Sequence, residues 1–140
     1  MAQVFAGFVC GFGLSLLYAP LFAVTLLRMR AESAIVARLL PAGVNPVALT
    51  LILQTGTFIF WTGLGILLGL LLLAMDGAPG ALGSLNGPFT LFVFAAAFVL
   101  AAPFAVLIDD WRRQIIATGL TALAVFGWLM PYLARWSRFE

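Results

Sequence analysis

The sequence predicts an all-α integral membrane protein: four transmembrane helices in two antiparallel hairpins with short loops, forming a single domain over residues 1–140. Three observations carry this prediction. Hydrophobic residues make up 64% of the chain and charged residues 9%, against about 25% charged in soluble domains. Four stretches, Val4–Leu27, Val47–Met75, Phe89–Ile108 and Gln114–Leu133, contain no Asp, Glu, Lys, Arg or His. They are 24, 29, 20 and 20 residues long, and a helix needs about 20 apolar residues to cross roughly 30 Å of hydrocarbon. Backbone groups in lipid must pair within the protein, which leaves only helices and closed barrels. Barrel strands alternate polar and apolar residues; these runs are continuous, so they read as helices.

The first stretch reads as a span rather than a secretion signal, because Met1–Gln3 carries no Lys or Arg and the apolar run is too long. Its lone Cys10 has no second cysteine to pair with and reads as a small buried apolar residue. The following loop carries Arg28, Arg30 and Arg38. Within it, Ala31–Leu40 is expected to form a short interfacial helix, with Ala31, Ile35 and Leu39 at four-residue spacing and Glu32, Ser33 and Arg38 on the polar side. An extended loop is the alternative.

Asn45-Pro46 marks the start of the second span, as N-cap and first helical residue. Asp76-Gly77 is expected to end it through a left-handed Gly. The connection to the third span is Gly/Pro-rich and has no Arg or Lys, and Gly87-Pro88 opens that span. The next turn is very tight, so spans three and four are expected to form a hairpin, with Asp110 capping the fourth. Pro20 and Pro103 each remove an internal hydrogen bond and are expected to kink their helices. Their similar flanks read as chance likeness in so apolar a chain, with an internal repeat of two hairpins as the alternative.

Five of the seven Arg lie in the first and third loops, 28–46 and 109–113. The positive-inside rule places these loops in the cytoplasm and both termini outside, with Arg135 and Arg138 as the opposing charges. The expected location is a bacterial inner membrane. The net charge of +2 comes from Arg beside the membrane, so it speaks for topology and not for nucleic-acid binding.

Several patterns are candidates for function. Gly7, Gly11, Ser15 and Ala19 form a small-residue stripe at four-residue spacing, with Gly65 and Gly69 in the second span and Ala97, Ala101 and Ala105 in the third. Such stripes let helix backbones approach closely, either within the monomer or against a second chain. Gln54, Thr55, Thr57, Trp61 and Thr62 place polar groups inside the second span, and Gln54, Trp61 and Gly65 share one broad face. This face is expected to pack on protein, or else to line a small pore with Thr118 and Thr121 opposite. Phe5, Phe8 and Phe12 form an aromatic stripe, and Phe58, Phe60 and Trp61 a cluster; they are lipid-facing bulk or a surface for a quinone, carotenoid or chlorophyll. No His is present to ligate a haem or chlorophyll. In Asp109-Asp110-Trp111-Arg112-Arg113 each Asp has an Arg three residues on, the arrangement of a helix start with ion pairs. Arg28, Arg30, Arg112 and Arg113 are expected at lipid phosphates, with Trp111 and Trp136 as interfacial anchors.

Catalysis requires titratable groups in a water-excluded site, and the spans have no carboxylate, Lys or His to supply them. The chain therefore does not read as an enzyme, nor as a proton-driven pump acting through its own carboxylate. Two readings remain. One is a non-catalytic small subunit of a larger membrane complex, packing partner helices and holding bound lipid or cofactor. The other is a homo-oligomeric channel or facilitator with a Thr/Gln-lined path.

Overall fold

A computed structural model describes residues 1–40, 42–75 and 87–136. The Asp76-Gly77 helix stop, the connection to the third span as far as Asn86, and Arg138 lie outside the described residues. Four helical spans are long and apolar enough to cross a membrane, and the chain is an all-α integral membrane protein. The spans are α1 (Ala2–Met29), α3 (Pro46–Met75), α4 (Gly87–Leu107) and a composite fourth span, Arg112–Trp136. A six-residue helix, α2 (Ala34–Leu39), lies between α1 and α3.

The boundary signals act where local chemistry is strong. The Val47 N–H donates to Asn45 Oδ1 at 2.9 Å, capping α3 ahead of Pro46. Gly43, at φ 100, turns the chain between α2 and α3 in the left-handed region that favours glycine. The turn after α4 is as tight as the sequence implies, but Asp110 does not occupy the N-cap position. Asp109–Trp111 form a 3-10 turn, which leaves Trp111 as N-cap of α5 (Arg112–Ala124). Arg112 ties the turn together: its Nε donates to the Ala105 carbonyl at 3.0 Å, and it pairs with Asp109 at 3.2 Å. The Ala105 carbonyl belongs to the last turn of α4, where helical carbonyls lack internal partners.

Packing radiates from α1. One side of α1 lies against α3 along most of its length, with Gln3 beside Gly69, Gly7 beside Gly65 and Gly11 beside Trp61, so the two chains run in opposite directions. Another side meets the C-terminal half of the fourth span. Helix α4 packs on α5 and the turn that follows it, with Ala101 Cβ 3.5 Å from where a methyl on Gly119 would sit. The main core joins Cys10 and Leu14 of α1, Trp61 and Leu72 of α3, Phe89 of α4 and Phe126 and Met130 of the fourth span. A smaller core seats Val36 and Leu40 on Leu49. The short helix forms over Ala34–Leu39, with Val36 and Leu40 turned inward and Ile35 and Leu39 exposed. Helices α1 and α4 continue through Pro20 and Pro103, each on an exposed side.

The fourth span is not a uniform helix. After α5 comes a π-turn, Val125–Leu129, and then α6 (Met130–Trp136). Its cause is legible one residue into α6. Pro131 has no N–H, so the Gly127 carbonyl loses its usual donor four residues on. The Thr90 hydroxyl of α4 supplies the replacement at 3.0 Å. A proline in one span is thereby compensated by a hydroxyl in another, as backbone groups in lipid require.

Thr90→Val is expected to lower stability by about 1 kcal/mol, the scale of an interhelical hydrogen bond in a membrane protein. Pro131→Ala restores an N–H at the right position, so the same Thr90→Val change is expected to cost less in that background. A double-mutant cycle read by thermal unfolding in detergent checks this; equal costs in both backgrounds would disprove the link.

Candidate functional site

The small-residue stripe of α1 meets α3. Gly7, Gly11, Ser15 and Ala19 are all buried. A methyl group on Gly7 would overlap the Gly65 carbonyl oxygen, and one on Gly65 would overlap the Gly7 carbonyl oxygen. A methyl on Gly11 would strike the Trp61 carbonyl, and one on Gly69 would lie 2.6 Å from the Gln3 carbonyl oxygen and 2.8 Å from Val4 Cα. Only hydrogen fits at these positions. At Gly7 and Gly65 the Cα–H bonds therefore aim at the opposite carbonyls, the arrangement of weak Cα–H···O contacts. The two glycine pairs noted in separate spans are the two halves of one seam. In the third span, Ala101 faces Gly119 across the α4–α5 contact.

The glycines outside the seam differ sharply. A methyl group on Gly13, Gly56 or Gly63 would meet nothing within 4 Å.

Above the seam, aromatic rings bridge the helices. Trp61 stacks on Tyr18 of α1 (centroids 5.5 Å, 28°) and on Phe126 of the fourth span (6.2 Å, 27°), with Phe60 at its edge (5.2 Å, 78°). Trp61 is 7% exposed and Phe126 1%, so three spans meet on one indole. Tyr18 and Phe126 carry no signal in the sequence beyond being aromatic, since apolar spans hold many such residues. The Phe stripe divides. Phe5 is 63% exposed, while Phe8 stacks on Phe12, which meets the edge of Phe58 (5.9 Å, 86°). Phe22 and Trp111 are in edge contact (5.7 Å, 66°), which brings the α4–α5 turn beside the C-terminal third of α1.

The Thr hydroxyls of α3 are turned onto backbone. Thr57 donates to the Leu53 carbonyl at 2.7 Å, Thr55 to Leu51 at 3.0 Å, and Thr62 to Phe58. Thr118 and Thr121 bond back to Gln114 and Ala117 in the same way, at 2.7 and 2.8 Å. Adding Ser15, Thr25, Thr50 and Thr90, every Ser and Thr hydroxyl in the four spans donates to a backbone carbonyl. Gln54 is half-buried, one turn from Thr57 and two turns from Trp61 on the same side of α3. Among the described residues no buried side-chain nitrogen or oxygen lacks a partner, and no group of three His, Cys, Asp or Glu is placed to hold a metal ion.

The arginines of the loops fall into two sets. Arg28, Arg30 and Arg38 surround the α1–α2 corner, and Arg112 and Arg113 open α5. Trp136 is 61% exposed near the other end of the bundle, on the last turn of α6.

Comparison of the chain with protein families, with curated proteins and with solved structures gives no match.

The seam predicts a sharp contrast between neighbouring glycines. Gly11→Ala is expected to destabilise the protein by about 1–3 kcal/mol, the range for overpacking a filled contact. Gly13→Ala, two residues away and facing open space, is expected to be neutral or slightly stabilising, because Ala is the better helix former. Thermal unfolding of the two variants side by side checks this; equal effects would show that α1 does not meet α3 through this face.

Proposed function

We propose that the chain is a non-catalytic subunit of a larger membrane complex, in which it packs partner helices and holds lipid. The observation that carries this reading is the use of every Ser and Thr hydroxyl of the spans on a backbone carbonyl. A transport path needs polar groups free to replace the hydration of a solute, and a catalytic site needs a titratable group at depth. The spans spend their Ser and Thr donors on helix backbone instead, which weighs against the homo-oligomeric channel as well as against an enzyme.

The place for partners follows from what the chain covers itself. The α1 stripe is filled by α3, so it is not the docking face. On α4, among the described residues, only Phe89 and Val93 are buried, while Phe92, Phe98, Val99 and Phe104 are exposed. Gly56 and Gly63, seven residues apart on the side of α3 away from α1, provide a second approach for a neighbouring helix. A quinone or pigment held by the complex would meet these apolar faces without a side-chain ligand from this chain. In this reading two antiparallel hairpins sit in a bacterial inner membrane, with loops 28–46 and 109–113 cytoplasmic and both termini outside.

Purification of the tagged full chain in a gentle detergent is expected to bring down unlike membrane subunits in fixed ratio. Gly63→Leu is expected to release them without lowering the thermal stability of the isolated chain, since nothing lies within 4 Å of that position. A homogeneous dimer or tetramer that conducts a solute in liposomes would overturn the proposal in favour of the channel.

A further inference from the structure

Charge is unevenly spread over the end of the bundle that holds the α1–α3 connection and the α4–α5 turn. At the α4–α5 turn, Asp109 and Asp110 offset Arg112 and Arg113, and Arg112 is already tied to Asp109 and to the Ala105 carbonyl. At the α1–α2 corner, Arg28, Arg30 and Arg38 stand against Glu32 alone. Among the described residues none of these three guanidinium groups has an ion pair or a side-chain hydrogen bond.

The same corner exposes apolar surface in a definite place. Successive residues of a helix are about 100° apart. Around α2 this orders the residues as Arg38, Ile35, Leu39, Val36 and Leu40. Val36 and Leu40 are sealed onto Leu49, while Ile35 and Leu39 are 72% and 74% exposed. An outward apolar pair is therefore flanked on one side by the protein core and on the other by Arg38. An arginine beside bare apolar surface, with two more arginines at the end of the adjoining helix, matches a molecule with an anionic head and a hydrocarbon tail.

We propose that the α1–α2 corner is a binding site for an anionic phospholipid. Arg28, Arg30 and Arg38 take the phosphate, and an acyl chain lies on Ile35 and Leu39. The α4–α5 turn, locally neutral, is not part of it, so the arginine pair there has no share in the selectivity. The proposal rests on the membrane-spanning reading above and is independent of whether partner subunits exist.

Native mass spectrometry of the full-length protein with equimolar phosphatidylglycerol and phosphatidylcholine, matched in acyl chain, tests it. The wild type is expected to retain phosphatidylglycerol about tenfold over phosphatidylcholine, a preference of about 1.4 kcal/mol that the excess of Arg over Glu at the corner is able to supply. The R28Q/R30Q/R38Q variant is expected to lose that preference, and R112Q/R113Q to keep it. Because removing three arginines can also disturb insertion, R28K/R30K/R38K is the companion. It keeps the charge that sets topology but lacks the planar fork that grips phosphate, and is expected to fall several-fold in retention. Ile35→Ser with Leu39→Ser is expected to weaken retention of both lipids. Excess inorganic phosphate is expected to leave retention unchanged. The proposal is overturned by a wild type without preference, by equal losses in the two arginine sets, by full retention in R28K/R30K/R38K, or by displacement with inorganic phosphate, which would assign the corner to a soluble anion. Lipid selectivity without co-purifying subunits would remove the complex reading alone.

Discussion

Everything else in the protein hangs on the contact between two helix backbones. In lipid, apolar side chains gain little by leaving their surroundings, so helix association depends on close packing and on weak polar contacts between backbones. Gly7 and Gly65 provide both, because their missing side chains let each main chain reach the carbonyl of the other. Gly11 and Gly69 extend the approach above and below. Once α1 and α3 are held at this distance, Trp61 is carried to the one position from which it reaches Tyr18 and Phe126. The second pair of helices is then secured to the first through buried side chains, Phe126 and Met130 among them, without a second glycine seam.

Polar satisfaction is the second constraint, and it explains the chemical quiet of the interior. A hydroxyl in hydrocarbon has three options: water, another helix or its own backbone. Eight of the nine Ser and Thr hydroxyls of the spans take the last, and Thr90 takes the second because Pro131 leaves a carbonyl that needs it. Nothing in this scheme calls for water at depth. Such an interior suits a protein whose work lies at its surfaces, where α4 and the outer side of α3 present broad apolar area and the α1–α2 corner presents charge.

How much of this was legible in the sequence depended on whether the cause was local. The spans follow from length and from the absence of charge, and the start of α3 follows from Asn45-Pro46, because a cap needs only its own neighbours. The stripe of α1 was legible as a stripe, yet its partner was not. Four-residue spacing says that a backbone can come close, and whether α3 or another chain does so depends on how two helices cross. In α2 the spacing of Ile35 and Leu39 marked the exposed apolar pair of a surface helix, but that Val36 and Leu40 pack on Leu49 was not legible, since they have the same spacing and a helix of six residues cannot separate the two sets by period alone. The π-turn went unread although its signals were present. Pro131 must free a carbonyl near Gly127, and the third span contains a single hydroxyl, Thr90, to answer it.

The π-turn also determines where this chain tolerates changes in length. A π-turn holds one residue more than the α-helical turn it replaces, and such turns occur as single-turn bulges inside otherwise regular helices. Deletion of one residue between Val125 and Leu129 returns the turn to α-helical winding and leaves the faces of α5 and α6 aligned as before. The same deletion between Gly7 and Gly11 rotates half of α1 by about 100° and carries a glycine off the seam. Two spans of similar apolarity therefore differ in kind: the fourth has slack for a one-residue deletion, and the first has none.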